Sequence, residues 1–316
     1  MLDLHRLRLL REFATRGSIA KAAASLGYTS SAVSQQLATL EREAGASLLD
    51  RTARRAELTD AGRRLAGYAE RILAMVEEAE ADLSAWATDP AGRIVATAFP
   101  SAAVAFAPAL TRSLRAHPRL NLVLRQTGAR ESLRQVRSGE VDVAIVDDWT
   151  SRLADDLDES ILTCYHLIRD ELVLALPRTH HAAAPGQPVD LRALRDEPWL
   201  AAPAGEASRQ AVDRLLGAAG VSPAVLSEFE GLSTIVSLVA RGIGIAILPR
   251  IAAAAGERRV VVRELPHGLN LARDIYAVVR TASARRPSVA VIVHALRAAA
   301  RGISAGRSAV SYPDGP

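Results

Sequence analysis

Two rhythms of apolar residues run along this chain. Before Pro90 they return at helical spacing, and after it they gather into short strand-like runs separated by helices. Leu7, Leu10 and Ala14, with Phe13 beside them, mark a helix from Leu4 to Thr15 that Gly17 ends. Ser18 suits an N-cap for a short alanine-rich helix, Ile19 to Leu26, and Gly27 stops it. A third helix starts near Ser30, with Val33, Leu37, Leu40 and Ala44 as its apolar stripe. Its other face carries Ser31, Ser34, Gln35, Ala38 and Arg42. Leu48 to Arg51 and Ala56 to Thr59 read as two short strands around a basic turn, Thr52 to Arg55. From Asp60 to Ala87 no proline appears. Leu65, Ala69, Ile72, Val76, Ala79, Leu83 and Trp86 alternate at spacings of four and three, a heptad seam on a helix about 40 Å long.

Beyond the break at Asp89-Pro90-Ala91-Gly92 the pattern becomes β-α-β-α-β. Ile94–Phe99, Leu120–Leu124 and Val141–Val146 are expected strands, with helices from Pro100-Ser101 and over Ser132–Arg137. Such alternation implies a parallel sheet with right-handed crossovers. A second set has strands at Leu172–Leu176, Trp199–Ala201, Val225–Phe229 and Ile243–Leu248, with helices at Ser208–Ala219 and Ser233–Arg241. A strand at Asp274–Val279 and a helix at Ser288–Arg301 are expected to return and complete the first lobe. From Ser304 the tail is polar, with Gly and Pro, and reads as disordered.

Charge sharpens the picture of the N-terminal segment. Up to Arg64 there are eleven basic and seven acidic residues, so the whole net charge of +4 sits in the first fifth of 316 residues. A polyanion at that end is the natural partner. The third helix offers a slim polar face with an amide able to meet a base edge twice, as a major-groove reader requires. Hydroxyls of Ser18, Thr29 and Ser30 can hold phosphates, and Arg51, Arg54 and Arg55 on the hairpin can grip phosphates or a narrow minor groove. Taken alone, the helix pair is as compatible with an ordinary amphipathic bundle. The basic hairpin directly after it tips the balance toward DNA.

The stretch from Leu4 to Leu73 resembles the N-terminal domain of LysR-type transcriptional regulators. The pieces that carry the likeness are Gly17-Ser18, Ala22-Ala23, Ser31-Ala32-Val33-Ser34-Gln35-Gln36-Leu37, Leu40-Glu41, Leu49-Asp50-Arg51 and Leu58-Thr59-Asp60-Ala61-Gly62. Ser30 and Ser31 depart from the glutamine and proline common there. The likeness continues more loosely from Gly92 to Ala300, through Gly139–Ile145, Glu171–Leu174, Glu197-Pro198-Trp199 and Gly242–Pro249. It implies an N-terminal all-α winged helix-turn-helix plus a long linker helix. A C-terminal α/β two-lobed effector domain, like a type 2 periplasmic binding protein, would follow. The expected units are 1–59, with the helix-turn-helix at about 19–38, a dimerisation helix at 60–88, lobe I at 92–163 and 266–302, lobe II at 164–265, and a tail at 303–316. In the family the long helix pairs two subunits, so a homodimer or homotetramer on a pseudo-palindromic operator is implied.

Ligands in α/β sheets sit beyond the carboxyl ends of strands. Ser101, Thr127, Gly128, Ala129 and Asp147 follow strands of the first lobe; Pro203, Ala204, Glu206 and Gly231 open helices of the second. Ser101 and its neighbouring amides could hold a carboxylate. Ala129 and Glu206 stand where the family often has hydroxyl residues, and Glu206 with Asp147 would favour a cationic or polar effector. No cofactor and no metal is expected. Gly242-Ile243-Gly244 precedes a strand and not a helix, the wrong context for a dinucleotide loop. His180-His181 has no partner ligands spaced nearby, and Cys164, the single cysteine, reads as buried filler near the lobe crossover. Arg6, Arg8, Arg11 and Glu12 interrupt any signal core, so a cytoplasmic protein is expected. The function so read is a non-enzymatic, effector-responsive transcription factor. The alternatives are a DNA-binding repressor with a vestigial cleft, or a two-lobed solute carrier or enzyme.

Overall fold

The computed structural model describes residues 1–51, 56–85, 90–150, 153, 157–184, 188–254, 259–266, 268–269 and 271–308. The N-terminal unit comprises α1 (Leu4–Arg16), α2 (Ile19–Leu26), α3 (Ser30–Ala44), the strands β1 (Leu49–Arg51) and β2 (Ala56–Leu58), and the long α4 (Asp60–Ala85). Leu7, Leu10, Phe13, Val33, Leu37 and Leu40 make its core, so the helical stripes read from the sequence meet face to face. Gly17 and Gly27 end α1 and α2 at φ 65° and 72°, the left-handed conformation that glycine adopts without steric cost.

Close approach fixes the start of α4. The Thr59 hydroxyl accepts from Gly62 N at 3.0 Å and donates to Ser47 O at 2.7 Å. A Cβ on Gly62 would collide with the Leu48 carbonyl. Gly62→Ala is therefore expected to destabilise the N-terminal unit by about 1–3 kcal/mol through overpacking. Urea unfolding of the N-terminal unit checks this; an unchanged midpoint would show that α4 shifts freely.

The second half is built on one curled sheet. β3 (Gly92–Ala98) lies parallel between β4 (Leu120–Gln126) and β5 (Val143–Asp148). β11 (Ala272–Arg280) pairs antiparallel with β5 and with β6 (Leu162–Pro177). β6 is a 16-residue strand that changes partners along its length. Leu162 to Glu171 pair with β11, whereas Leu172 to Pro177 pair with β9 (Ala246–Pro249) and β10 (Val260–Arg263). The sequence reading saw only the second half of this strand, because its apolar run starts at Leu172. The joint between lobes is thus inside a strand, with the partner change at Glu171–Leu172, and not at residue 164.

Lobe I packs α5 (Pro100–Ala116) and α10 (Pro287–Ser308) on one face of this sheet around Phe106, Leu110, Ile292 and Leu296. α6 (Ala129–Ser138) covers the other face through Val136. In lobe II, β7 (Pro198–Ala201) and β8 (Val225–Glu228) run parallel, and a bridge from Trp199 to Ile245 ties them to the strand entering β9. α7 (Ala207–Ala218), α8 (Leu232–Ala240) and the short α9 (Arg250–Ala254) complete it. α10 continues to Ser308, past the point where the polar composition predicted disorder; residues 309–316 lie outside the described residues.

The N-terminal unit docks on lobe I of its own chain. The Arg11 guanidinium is buried and donates to Ser138 O, Arg16 pairs with Glu140, and Glu77 of α4 meets Arg280 at 2.8 Å. Burial first, then the Arg280 charge, pull the Arg11 pKa down to about 10.

Candidate functional site

Two places concentrate chemistry. The first is the outer face of α3. Thr29 caps the helix, its hydroxyl accepting from Ala32 N at 3.2 Å and lying 3.1 Å from the Ser31 hydroxyl. With Val33, Leu37 and Leu40 buried, Thr29, Ser30, Ser31 and Gln35 are exposed, and Ser34 and Ala38 partly so. Thr29, Ser30, Ser31, Ser34 and Gln35 form a small polar ridge that Ala38 extends; the periodicity placed Ser31, Ser34, Gln35, Ala38 and Arg42 on this face, and Arg42 is exposed as well. Ser18 begins α2 but makes no side-chain capping bond, contrary to the capping expected, so its hydroxyl remains available. Glu41 accepts from Leu48 N and Leu49 N at 2.9 and 3.0 Å, and so ties the β1–β2 hairpin to α3. Arg51 ends β1, opposite Ala56; Arg54 and Arg55 lie outside the described residues.

The second is a cavity of about 550 Å³ between the lobes. Of the residues read from the sequence, Ser101, Asp147, Glu206 and Gly231 line it. Thr127, Gly128, Ala129, Pro203 and Ala204 do not. The first three are drawn away by α6, which Gly128 caps and in which Ala129 packs toward the Val136 side of the sheet. Pro203 is spent on a turn, its carbonyl accepting from Glu206 N at 3.2 Å.

Sequence reasoning missed the residue at the centre, Arg273. The β11–β6 register sets it opposite Asp170. Its Nε and Nη2 donate to Asp170 Oδ2 at 3.0 and 2.9 Å, Nη1 to Asp147 Oδ2 at 3.1 Å, and Nη2 also to Ser101 Oγ at 2.9 Å. Asp170 is fully buried, and its other oxygen accepts from Ile251 N at 3.0 Å. The guanidinium lies 4.6 Å from the centre of the Phe99 ring and 5.5 Å from that of Trp149. Ser101 is therefore an acceptor for Arg273 before it is anything for a ligand. A signal existed: Arg169-Asp170 and Arg273-Asp274 are adjacent opposite charges set in largely apolar strands.

Two further groups change on folding. His180 and His181 do acquire an acidic neighbour, since Glu197 Oε1 lies 3.4 Å from His180 Nε2 and 3.9 Å from His181 Nδ1. However, His180 Nδ1 accepts from Ala182 N at 3.1 Å. That leaves the ring proton on Nε2, which makes no hydrogen bond among the described residues although Glu197 lies 3.4 Å away. Cys164 is half-buried beside a small cavity, not buried filler. Burial, then Glu159, push its thiol up to about 11, which suppresses the nucleophilic thiolate.

Comparison with known proteins matches both halves. Residues 4–63 fit the model of the bacterial regulatory helix-turn-helix protein, lysR family, and residues 87–301 that of the LysR substrate binding domain. This protein belongs to the LysR family. A probable RuBisCO transcriptional regulator of Cyanophora paradoxa is 33% identical over 252 residues, covering 78% of this chain and 76% of its own. The HTH-type transcriptional regulator YofA of Bacillus subtilis is 30% identical over 263 residues, covering 82% and 86%. Among solved structures, a full-length OxyR variant from Pseudomonas aeruginosa superposes with a TM-score of 0.69 at 20% identity, over 94% of this chain and 95% of that one. Full-length CbnR complexed with its target DNA gives 0.53 at 22% identity, over 95% and 100%. As a LysR-family regulator, this protein is a DNA-binding transcription factor with an effector-binding domain, and the ridge on α3 belongs to its helix-turn-helix.

Proposed function

We propose that this regulator binds a pseudo-palindromic operator as a homodimer and releases or reshapes it when a small molecule enters the inter-lobe cavity. Thr29, Ser30, Ser31, Ser34, Gln35 and Ala38 would enter the major groove, with Ser18 and the arginines of the hairpin on phosphates. The observation that carries the reading is the exposed polar ridge of α3, backed by a hairpin that Glu41 locks to it. A lobe-bridging cavity lets a ligand bias domain geometry, because only differential contacts to two states shift their balance. Catalysis is no part of this role, and the protein works in the cytoplasm, where its DNA is; no helix among the described residues is long and apolar enough to cross a membrane. The test is a footprint on DNA upstream of its own gene at several salt concentrations. A salt-independent or absent interaction would remove the proposal.

The pairing surface is proposed to be offset from the heptad seam. Ala69 is fully buried and Leu65 and Ile72 pack against the N-terminal core, so these three are claimed by their own subunit. Val76 is half-buried, while Ala79 and Leu83 are exposed, and Trp86 lies outside the described residues. The outward apolar line is instead Tyr68, Met75, Ala79 and Leu83, with Tyr68, Met75 and Leu83 exposed at 51%, 70% and 76%. The dimer is proposed to close over that line. Met75→Glu is then expected to shift sedimentation from dimer toward monomer by at least about tenfold in Kd, since a desolvated charge costs more than the ~1.4 kcal/mol per decade. An unchanged dimer would place the interface elsewhere.

A further inference from the structure

We infer that the inter-lobe cavity selects an effector bearing a protonated amine, held between Asp147 of lobe I and Glu206 of lobe II. This rests on the reading of the cavity as the effector site and adds the ligand's charge. The deciding feature is that Arg273, the one cation in the wall among the described residues, is already spent. Four of its five N–H groups are used, two on Asp170 and one each on Asp147 and Ser101. With 2% of the residue exposed and Asp170 at 0%, its charge is cancelled inside the protein.

The acids are left over. Asp147 uses Oδ2 for both Arg273 and the Trp149 indole N–H at 3.0 Å, and its Oδ1 accepts no hydrogen bond among the described residues. Glu206 stands exposed at the cap of α7, and among the described residues its carboxylate has only a 3.4 Å bond from the Ser208 hydroxyl. Arg209, on the same helix as the lining Ser208, turns away to Asp213 and Glu228 and to the Ala202 carbonyl. Wall and backing together therefore carry three carboxylates against one guanidinium. Ser101, Gln126, Ser208 and Ser233 are neutral, and Phe99, Val104, Trp149 and Leu232 give an apolar floor with aromatic faces.

The two acids sit on opposite lobes, so closing the empty cavity brings like charges together. An ammonium between them removes that repulsion and gains two charge-assisted bonds, with Trp149 adding a cation–π surface. Ligand charge is thereby converted into closure. The first turns of α5, α7 and α8 also meet the cavity at Ser101, Ser208 and Ser233. Their amides can take a neutral or negative acceptor at the far end of the same molecule. A dianion gains those amides too, but must approach both acids.

Three five-carbon probes separate the cases: pentane-1,5-diamine, 5-aminopentanoate and glutarate. Each is added at about 10 mM to the full chain, and binding is read by ligand-observed saturation-transfer NMR, which detects millimolar affinities. The two amines are expected to bind at least about tenfold more tightly than glutarate. In the double variant Asp147→Asn with Glu206→Gln, which keeps the bonds to Arg273 and Trp149, that preference should disappear while DNA binding persists. Glutarate binding as well as the amines, amine binding unchanged in the double variant, or silence from all three probes overturns the assignment. Trp149→Ala tells which reading has failed. Glutarate binding that this variant abolishes sinks only the amine and keeps the cavity as effector site. Probe binding indifferent to both sets of substitutions sinks the cavity as well.

Discussion

Asp170→Ala is expected to destabilise the effector half by about 3–5 kcal/mol, the cost of stranding a buried charge by removing its partner. Arg273 sits opposite Asp170 across the β11–β6 ladder and reaches it through two nitrogens. Asp147 and Ser101 stay in place, which argues for the lower end of that range. Against a total stability of about 5–15 kcal/mol the loss is large. Urea unfolding followed on tryptophan fluorescence reads it, since Trp149 and Trp199 both lie in that half. The companion variant, Asp170→Leu with Arg273→Met, removes both charges together and should recover most of the loss. A single variant within about 1 kcal/mol of the parent, or a double variant worse than the single, would show that the pair is not what holds the lobes in register.

Gln35→Ala is expected to weaken operator binding by about 1–3 kcal/mol while leaving random DNA almost untouched, because a bidentate amide contact is a reader of bases. Gln35 is exposed on α3, whereas Val33 and Leu37 on either side are buried, so the change leaves the fold intact. Arg54→Ala should behave differently. It should lower affinity for every sequence and flatten the salt slope by about one unit, as a phosphate contact does. Fluorescence anisotropy on an operator fragment and on scrambled DNA, at several salt concentrations, separates the two. Equal losses on both DNAs for Gln35→Ala would remove it from the base-reading role.

The helices and core of the N-terminal unit were legible in the sequence. Its helices are short, capped by glycines at Gly17 and Gly27, and buried along stripes three and four residues apart, all of which are local facts. The cleft was only half legible. Ser101, Asp147, Glu206 and Gly231 sit at the ends of strands or starts of helices, and the general rule for α/β sheets finds such places. Thr127, Gly128 and Ala129 obey the same rule but are turned away, because α6 packs on the far face of the sheet. The heptad seam on α4 showed the same limit. Periodicity marks which residues are apolar, but it does not say whether α1 or a second subunit covers them.

What the sequence alone settled was the type of most elements, the two-part organisation and the family, since each depends on spacings of a few residues; it missed β10, α9 and the first half of β6. Tertiary structure decided the chemistry of the cavity. Arg273 and Asp170 are 103 residues apart, and they meet only because β6 runs on from one lobe into the other and β11 returns antiparallel beside it. A pairing over that distance leaves no periodic trace in the chain. It is fixed by strand register, which emerges when both sheet faces are buried and a slip by one residue would turn Arg273 into the apolar core.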